Sequence, residues 1–123
     1  MNRRDETLVN KLLAYCDEVE ASHRFFNDDK ALFCDKARGF VYRNAIAMPI
    51  LQIGELAKNL SEEFRQTHTE IPWRAVTRMR DLLAHRYGTL DYEQTWNTSH
   101  ESIMELKRFL LKVRQENNPE NPQ

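Results

Sequence analysis

Residues 74–87 hold the side chains of this chain best suited to chemistry: Arg74, Arg78, Arg80 and Arg86, with Asp81, His85 and Tyr87. They form the spacing Arg80-x4-His85-x-Tyr87, with an acid directly after the arginine. Histidine titrates near physiological pH, and arginine is a permanent forked cation matched to phosphate. Together they suit phosphodiester chemistry without a metal. Residues 74–86 carry four Arg against one Asp, although the formal net charge of the whole chain is −1. Such a patch can meet a phosphate backbone; on charge alone a solvated helix face explains it equally well.

On an ideal helix at about 100° per residue, Val76, Met79 and Leu83 share one face, with Leu82 and Ala75 beside it. That face is expected in the core. Arg80 and His85 are then about 140° apart. The arc between them carries Thr77, Asp81 and Ala84, and the small Thr77 and Ala84 leave a shallow dent flanked by a guanidinium and an imidazole. Asp81 precedes His85 by one helical turn, close enough to orient it or stabilise its charge. Arg74 and Arg78 lie on the His85 side, where they can hold flanking phosphates. An ion-pair network on a helix exterior would use the same spacing, and Tyr87 reads equally as an aromatic at the core edge.

These residues need a helical scaffold, and the composition supplies one. The 123 residues contain only three Gly and four Pro, with 41% hydrophobic and 30% charged residues, which points to one all-α domain. A first helix over 5–26 carries Leu8, Leu12, Tyr15, Val19, Ser22 and Phe26 in a helical stripe. Asn27-Asp28-Asp29 breaks it, and Asp28 or Asp29 can cap the next segment. A long second helix over 30–60 contains Pro49, which predicts a bend between Asn44 and Pro49 or two abutting helices. Gly54 allows close approach of a neighbouring helix. Ser61 to Phe64 suits a short capped turn, and 66–70 reads as loop. Pro72 marks the start of the helix that carries the motif, which is expected to run to Tyr87 and stop at Gly88. Asp91-x-x-Gln94 resembles a capping box opening a last helix. There Tyr92, Trp96, Ser99, Ile103, Leu106, Leu110 and Val113 keep a seven-residue seam. The domain is read as residues 1–114, an antiparallel four- to five-helix bundle, with a disordered tail over 115–123.

Other chemistries find little support. Cys16 and Cys34 form no zinc-type pattern and are read as reduced, partly buried thiols. His23, His68 and His100 lack partners at metal-ligand spacing, so surface or capping roles are expected and no metal or cofactor is assigned. Glu55 either faces a cleft or makes a buried hydrogen bond. Trp73 and Trp96 read as packing residues, and the three glycines are too far apart for a phosphate loop. Neither a signal peptide nor a membrane span is expected, which suggests a cytoplasmic protein.

The run Arg80-Asp81-Leu82-Leu83-Ala84-His85-Arg86-Tyr87 resembles the Arg-x4-His-x-Tyr motif of HepT-like toxins in the HEPN superfamily. Ile53-Gly54-Glu55-Leu56-Ala57, Ile71-Pro72-Trp73 and Gly88-Thr89-Leu90-Asp91 extend the resemblance over about residues 8–113. Asp81 stands where the family often has Asn. The resemblance implies an HEPN-like bundle and a metal-independent endoribonuclease toxin of type VII, acting on tRNA or mRNA. It implies a homodimer whose two Arg/His sets meet in a cleft at the twofold axis. It also implies a minimal nucleotidyltransferase antitoxin that adds AMP to the motif tyrosine, here Tyr87. Arg80, His85 and Asp81 would then be catalytic, with Arg74, Arg78 and Arg86 on RNA. For cleavage by the neighbouring 2′-hydroxyl, His85 serves as general base or acid and Arg80 stabilises the phosphorane. Some HEPN domains bind nucleotides or support a nucleotidyltransferase without cutting RNA, which leaves a non-catalytic binding module as the alternative.

Overall fold

The apolar stripe of the first helix is long enough to line a bundle from end to end. In the computed structural model, which describes residues 1–117, α1 spans Arg3–Phe25 and buries Leu8, Val9, Leu12, Leu13, Cys16 and Val19. It is followed by α2 (Lys30–Cys34), α3 (Phe40–Asn59), α4 (Glu62–Thr67) and α5 (Trp73–His85). After a 3-10 turn over Tyr87–Thr89 come α6 (Tyr92–Asn97), a π-helical segment (Thr98–Ser102) and α7 (Ile103–Glu116). The architecture is an all-α bundle, with no strand among the described residues. α3 is its centre: α1 packs on one side of it and α5 on another, while α7 packs on α1.

Local caps set most boundaries. The side chains of Asp29, Ser61 and Asp91 accept from the backbone N–H groups of Leu32, Phe64 and Gln94, satisfying donors that open α2, α4 and α6. Asp5 is buried, and its carboxylate accepts from the Ser61 N–H (2.9 Å) and hydroxyl (2.6 Å), tying the start of α1 to the start of α4. Ile46, Ile50, Ile53, Leu106, Leu110 and Val113 complete the core with α1.

The long second helix is corrected in one respect. Its break lies at residues 35–39, and α3 runs without interruption through Pro49. A proline costs one backbone hydrogen bond, which a well-packed helix tolerates; Pro49 is itself buried. The true break is built by side chains. Asp35 accepts from the N–H groups of Ala37 (3.0 Å) and Arg38 (2.8 Å). The buried Arg43 guanidinium donates to the carbonyls of Phe33 (2.6 Å), Asp35 (2.8 Å) and Lys36 (3.2 Å) and lies over the Tyr92 ring. Gln115 and Glu116, assigned from sequence to the tail, end α7; the remainder of the expected tail lies outside the described residues.

Candidate active site

Arg80 is fixed to α3 by close approach and by charge. A Cβ on Gly54 would stand 2.1 Å from Arg80 Cβ, so only glycine lets α5 come this near. The next residue, Glu55, puts Oε1 against Arg80 Nε as an ion pair, and both atoms are buried without a hydrogen-bond partner. Asp81 Oδ1 lies 3.0 Å from Arg80 Nη1 and 3.8 Å from Lys58 Nζ. The hydrogen bond that Arg80 donates to Asp81, with the charge of Glu55, holds the guanidinium pKa above its ordinary value. The arginine is therefore a stationary cation rather than a loose surface side chain.

This geometry changes the expected dent. Arg80 leans onto α3, because Gly54 and Glu55 capture it there, and its Nη1 turns to Asp81. Asp81 serves Arg80 and Lys58, and His85 is not among its partners. His85 is the last residue of α5 and is exposed. The helix ends two residues sooner than expected, so Gly88 sits inside the 3-10 turn and Tyr87 stands beyond the helix rather than on it. Tyr87 is half-buried, its hydroxyl donates to Asn44 Oδ1 on α3, and burial raises its pKa. Arg74, Arg78 and Arg86 are all exposed.

The apolar face of α5 is less buried than its pattern suggests. Leu83 is in the core, Val76, Met79 and Leu82 are half-buried, and Ala75 is exposed. An open groove of about 560 Å³ separates that face from α7, with Met79, Leu82, Leu106 and Phe109 among its walls. Trp73 and Trp96 are packing residues as read, Trp73 donating to the His68 carbonyl at 2.9 Å.

Asn44 was not singled out in the sequence, although a signal exists. Asn44, Leu51, Glu55 and Lys58 are separated by seven, four and three residues, which puts three polar side chains on one face of an otherwise apolar helix.

The family model for the ribonuclease HepT-like group matches residues 16–113. The chain belongs to the HepT-like ribonuclease family. A probable ribonuclease HepT of Thermococcus cleftensis is 41% identical over 81 residues, covering 66% of this chain and 70% of that protein. A putative RNase of Caldanaerobacter subterraneus is 31% identical over 66% of this chain and 80% of its own length. A putative RNase of Methanocaldococcus jannaschii is 26% identical over 92% and 94% of the two chains. No solved structure matches. Within this HepT-like bundle the Arg80 anchor, Gly54-Glu55, and the Tyr87 anchor, Asn44, both lie on α3, so one helix positions the arginine and the tyrosine of the motif.

A second cluster lies on other elements. His23 is buried, contrary to a surface role, and packs its ring 3.8 Å from that of His100, with the Asp28 carboxylate beside both. Burial, with the nearby His100 adding to it, lowers the His23 pKa to about 4. No helix among the described residues is long and apolar enough to cross a membrane.

Proposed function

We propose that this chain is a metal-independent endoribonuclease that works as a homodimer, the toxin of a type VII pair. The observation that carries the reading is the fixed Arg80 guanidinium on the same helix as an exposed His85, in a chain of the HepT-like ribonuclease family. In the reaction the RNA 2′-oxygen attacks phosphorus and the bond to the 5′-oxygen breaks. The products are a 2′,3′-cyclic phosphate and a 5′-hydroxyl, and no water is consumed. The proton lost by the 2′-hydroxyl goes to an imidazole, and one is returned to the leaving 5′-oxygen. Arg80 stabilises the extra charge of the phosphorane, and Asp81 and Glu55 hold Arg80. Arg74, Arg78 and Arg86 bind flanking phosphates.

Two considerations support a dimer. Within one copy Arg80 and His85 diverge by about 140° and are offset by about 7.5 Å along the helix, too far apart for one phosphate. A second copy brings a second histidine, giving one base and one acid. The exposed Val41 (54%) and Met48 (59%), with half-buried Leu51, share the face of α3 that carries Asn44 and Glu55. An apolar stripe on the face of two functional anchors suits a self-association face. Regulation by a minimal nucleotidyltransferase antitoxin would act at Tyr87: AMP there adds bulk and negative charge beside the motif and repels RNA phosphates.

The test is incubation of the purified protein and its His85→Ala and Arg80→Ala variants with total tRNA in EDTA. Cyclic phosphate ends from the wild type alone support the reading. RNA binding without cleavage would point to the non-catalytic module, and full activity in either variant would remove the assigned roles.

A further inference from the structure

The end of α1, the α1–α2 turn and the π-helical segment bring together three ligand-type side chains that RNA cleavage does not use. One donor atom from each of His23, Asp28 and His100 lies within 4.8 Å of the other two. Hydrogen bonds orient both imidazoles. His100 Nδ1 is 3.1 Å from the Trp96 carbonyl oxygen, which only accepts, so this nitrogen carries the proton. Its Nε2 is hydrogen-bonded to Asp28 Oδ1 at 2.5 Å, and a bound ion would take the place of the proton between them. Ser99 Oγ donates to the same carbonyl at 2.7 Å and therefore accepts from His23 Nε2 at 2.9 Å. The His23 Nδ1 lone pair is left facing the Tyr42 hydroxyl at 2.5 Å and Asp28 Oδ1 at 3.9 Å. Each ring thus spends one N–H on a neighbouring acceptor outside the cluster and turns its other nitrogen toward one carboxylate. Metal-binding histidines are oriented in this way.

The backbone is committed to the same arrangement. Asn27 and Asp28 have φ of 59° and 52°, the only positive values at non-glycine residues among those described. Two consecutive left-handed residues fold the turn back so that the Asp28 N–H donates to the His23 carbonyl at 2.7 Å. The π-helical segment contributes Ser99 and His100, and such local widening is common where side chains are placed for a purpose.

We propose that His23, Asp28 and His100 bind one divalent late first-row metal ion of the zinc class, clasping the α1–α2 turn to the π-helical segment. Two imidazoles and one carboxylate suit zinc or cobalt and do not suit magnesium or calcium. Tetrahedral zinc with bonds of about 2.0–2.1 Å separates its donors by roughly 3.4 Å, and the distances of 2.5 and 3.9 Å from Asp28 Oδ1 lie on either side of that value. The ion replaces the hydrogen bond from Tyr42 to His23 Nδ1, and the phenol oxygen or a water takes the fourth position. The exposed Asp28 carboxylate leaves a path for entry from solvent.

The test uses the full chain stripped with chelator and then titrated with Co2+, followed by Zn2+. One equivalent of Co2+ should give visible ligand-field absorption that Zn2+ removes, and Zn2+ should raise the melting temperature. Asp28→Asn retains a residue that tolerates positive φ and should weaken binding about tenfold or more; His100→Ala should do the same, and His68→Ala should not. Absence of absorption and of a thermal shift in the wild type would overturn the proposal. So would undiminished binding in Asp28→Asn and His100→Ala proteins of native helical content.

Discussion

Gly54 and Arg80 meet backbone to side chain: an added methyl at residue 54 would stand 2.1 Å from Arg80 Cβ and 3.3 Å from its Cα. A glycine inside a helix costs about 1 kcal/mol against alanine. Here that cost allows α5 to lie close enough on α3 for Glu55 to reach Arg80 Nε.

Gly54→Ala should therefore destabilise the fold despite the better helix propensity of alanine. Arg80 Cβ cannot move without α5, and overpacking of this kind costs about 1–3 kcal/mol, more than the roughly 1 kcal/mol gained. Urea denaturation followed by circular dichroism measures the difference. A variant as stable as wild type would mean that α5 shifts freely, against the close-packing account.

Glu55→Gln preserves shape and removes the charge beside Arg80. The pair is partly exposed, so stability should change by less than about 1 kcal/mol. Cleavage of RNA should fall about tenfold or more if Glu55 positions Arg80. Initial rates, with Arg80→Ala as the inactive reference, decide the point. The proposed action of Arg80 on the transition state puts the loss in kcat, with KM little changed.

How far the sequence foretold this site follows the range of each interaction. Caps at Asp29, Ser61 and Asp91 depend on a side chain and a backbone group one turn away, so they can be read residue by residue. The seam from Trp96 to Val113 follows from periodicity. The break at residues 35–39 escaped because Arg43, from the following helix, gathers the carbonyls that make it. Pro49, the stronger local signal, lost to packing. Glu55 with Arg80, Asn44 with Tyr87 and His23 with His100 all depend on how helices cross, which spacing along one chain does not encode.

The two cysteines should differ sharply in reactivity. Cys16 is fully buried, and burial, with Asp17 beside it, pushes its thiol up to about 12; Cys34 is half-buried. At pH 8 Ellman's reagent should label Cys34 in the native protein and reach Cys16 only on unfolding. The same shift sets a pH trend. An unfolded thiol ionises near pH 8.5 while the folded Cys16 keeps its proton. The unfolded state then binds fewer protons, so stability should fall as pH rises above that value. Rapid native labelling of both thiols would contradict the burial.

Tyr87→Phe removes the hydroxyl that donates to Asn44 and the only oxygen on that side chain able to take an adenylyl group. Nuclease activity should persist while labelling by a cognate nucleotidyltransferase with radioactive ATP is lost. Asn44→Ala should leave the acceptor in place and free its hydroxyl, so labelling should continue. Continued labelling of Tyr87→Phe would point to another acceptor, and loss of cleavage would place Tyr87 in the chemistry itself.

In the proposed dimer both copies' histidines serve each cut, one as base and one as acid. Subunit exchange turns this into a measurement. When wild type and His85→Ala chains are mixed in equal amounts and allowed to exchange, random pairing leaves about a quarter of dimers with two histidines. Cleavage should fall to about a quarter of that of the same total concentration of wild type. If each copy cut independently, half would remain. A result near one half would make the active unit a single copy and leave the Val41–Met48 stripe without a catalytic reason to be buried.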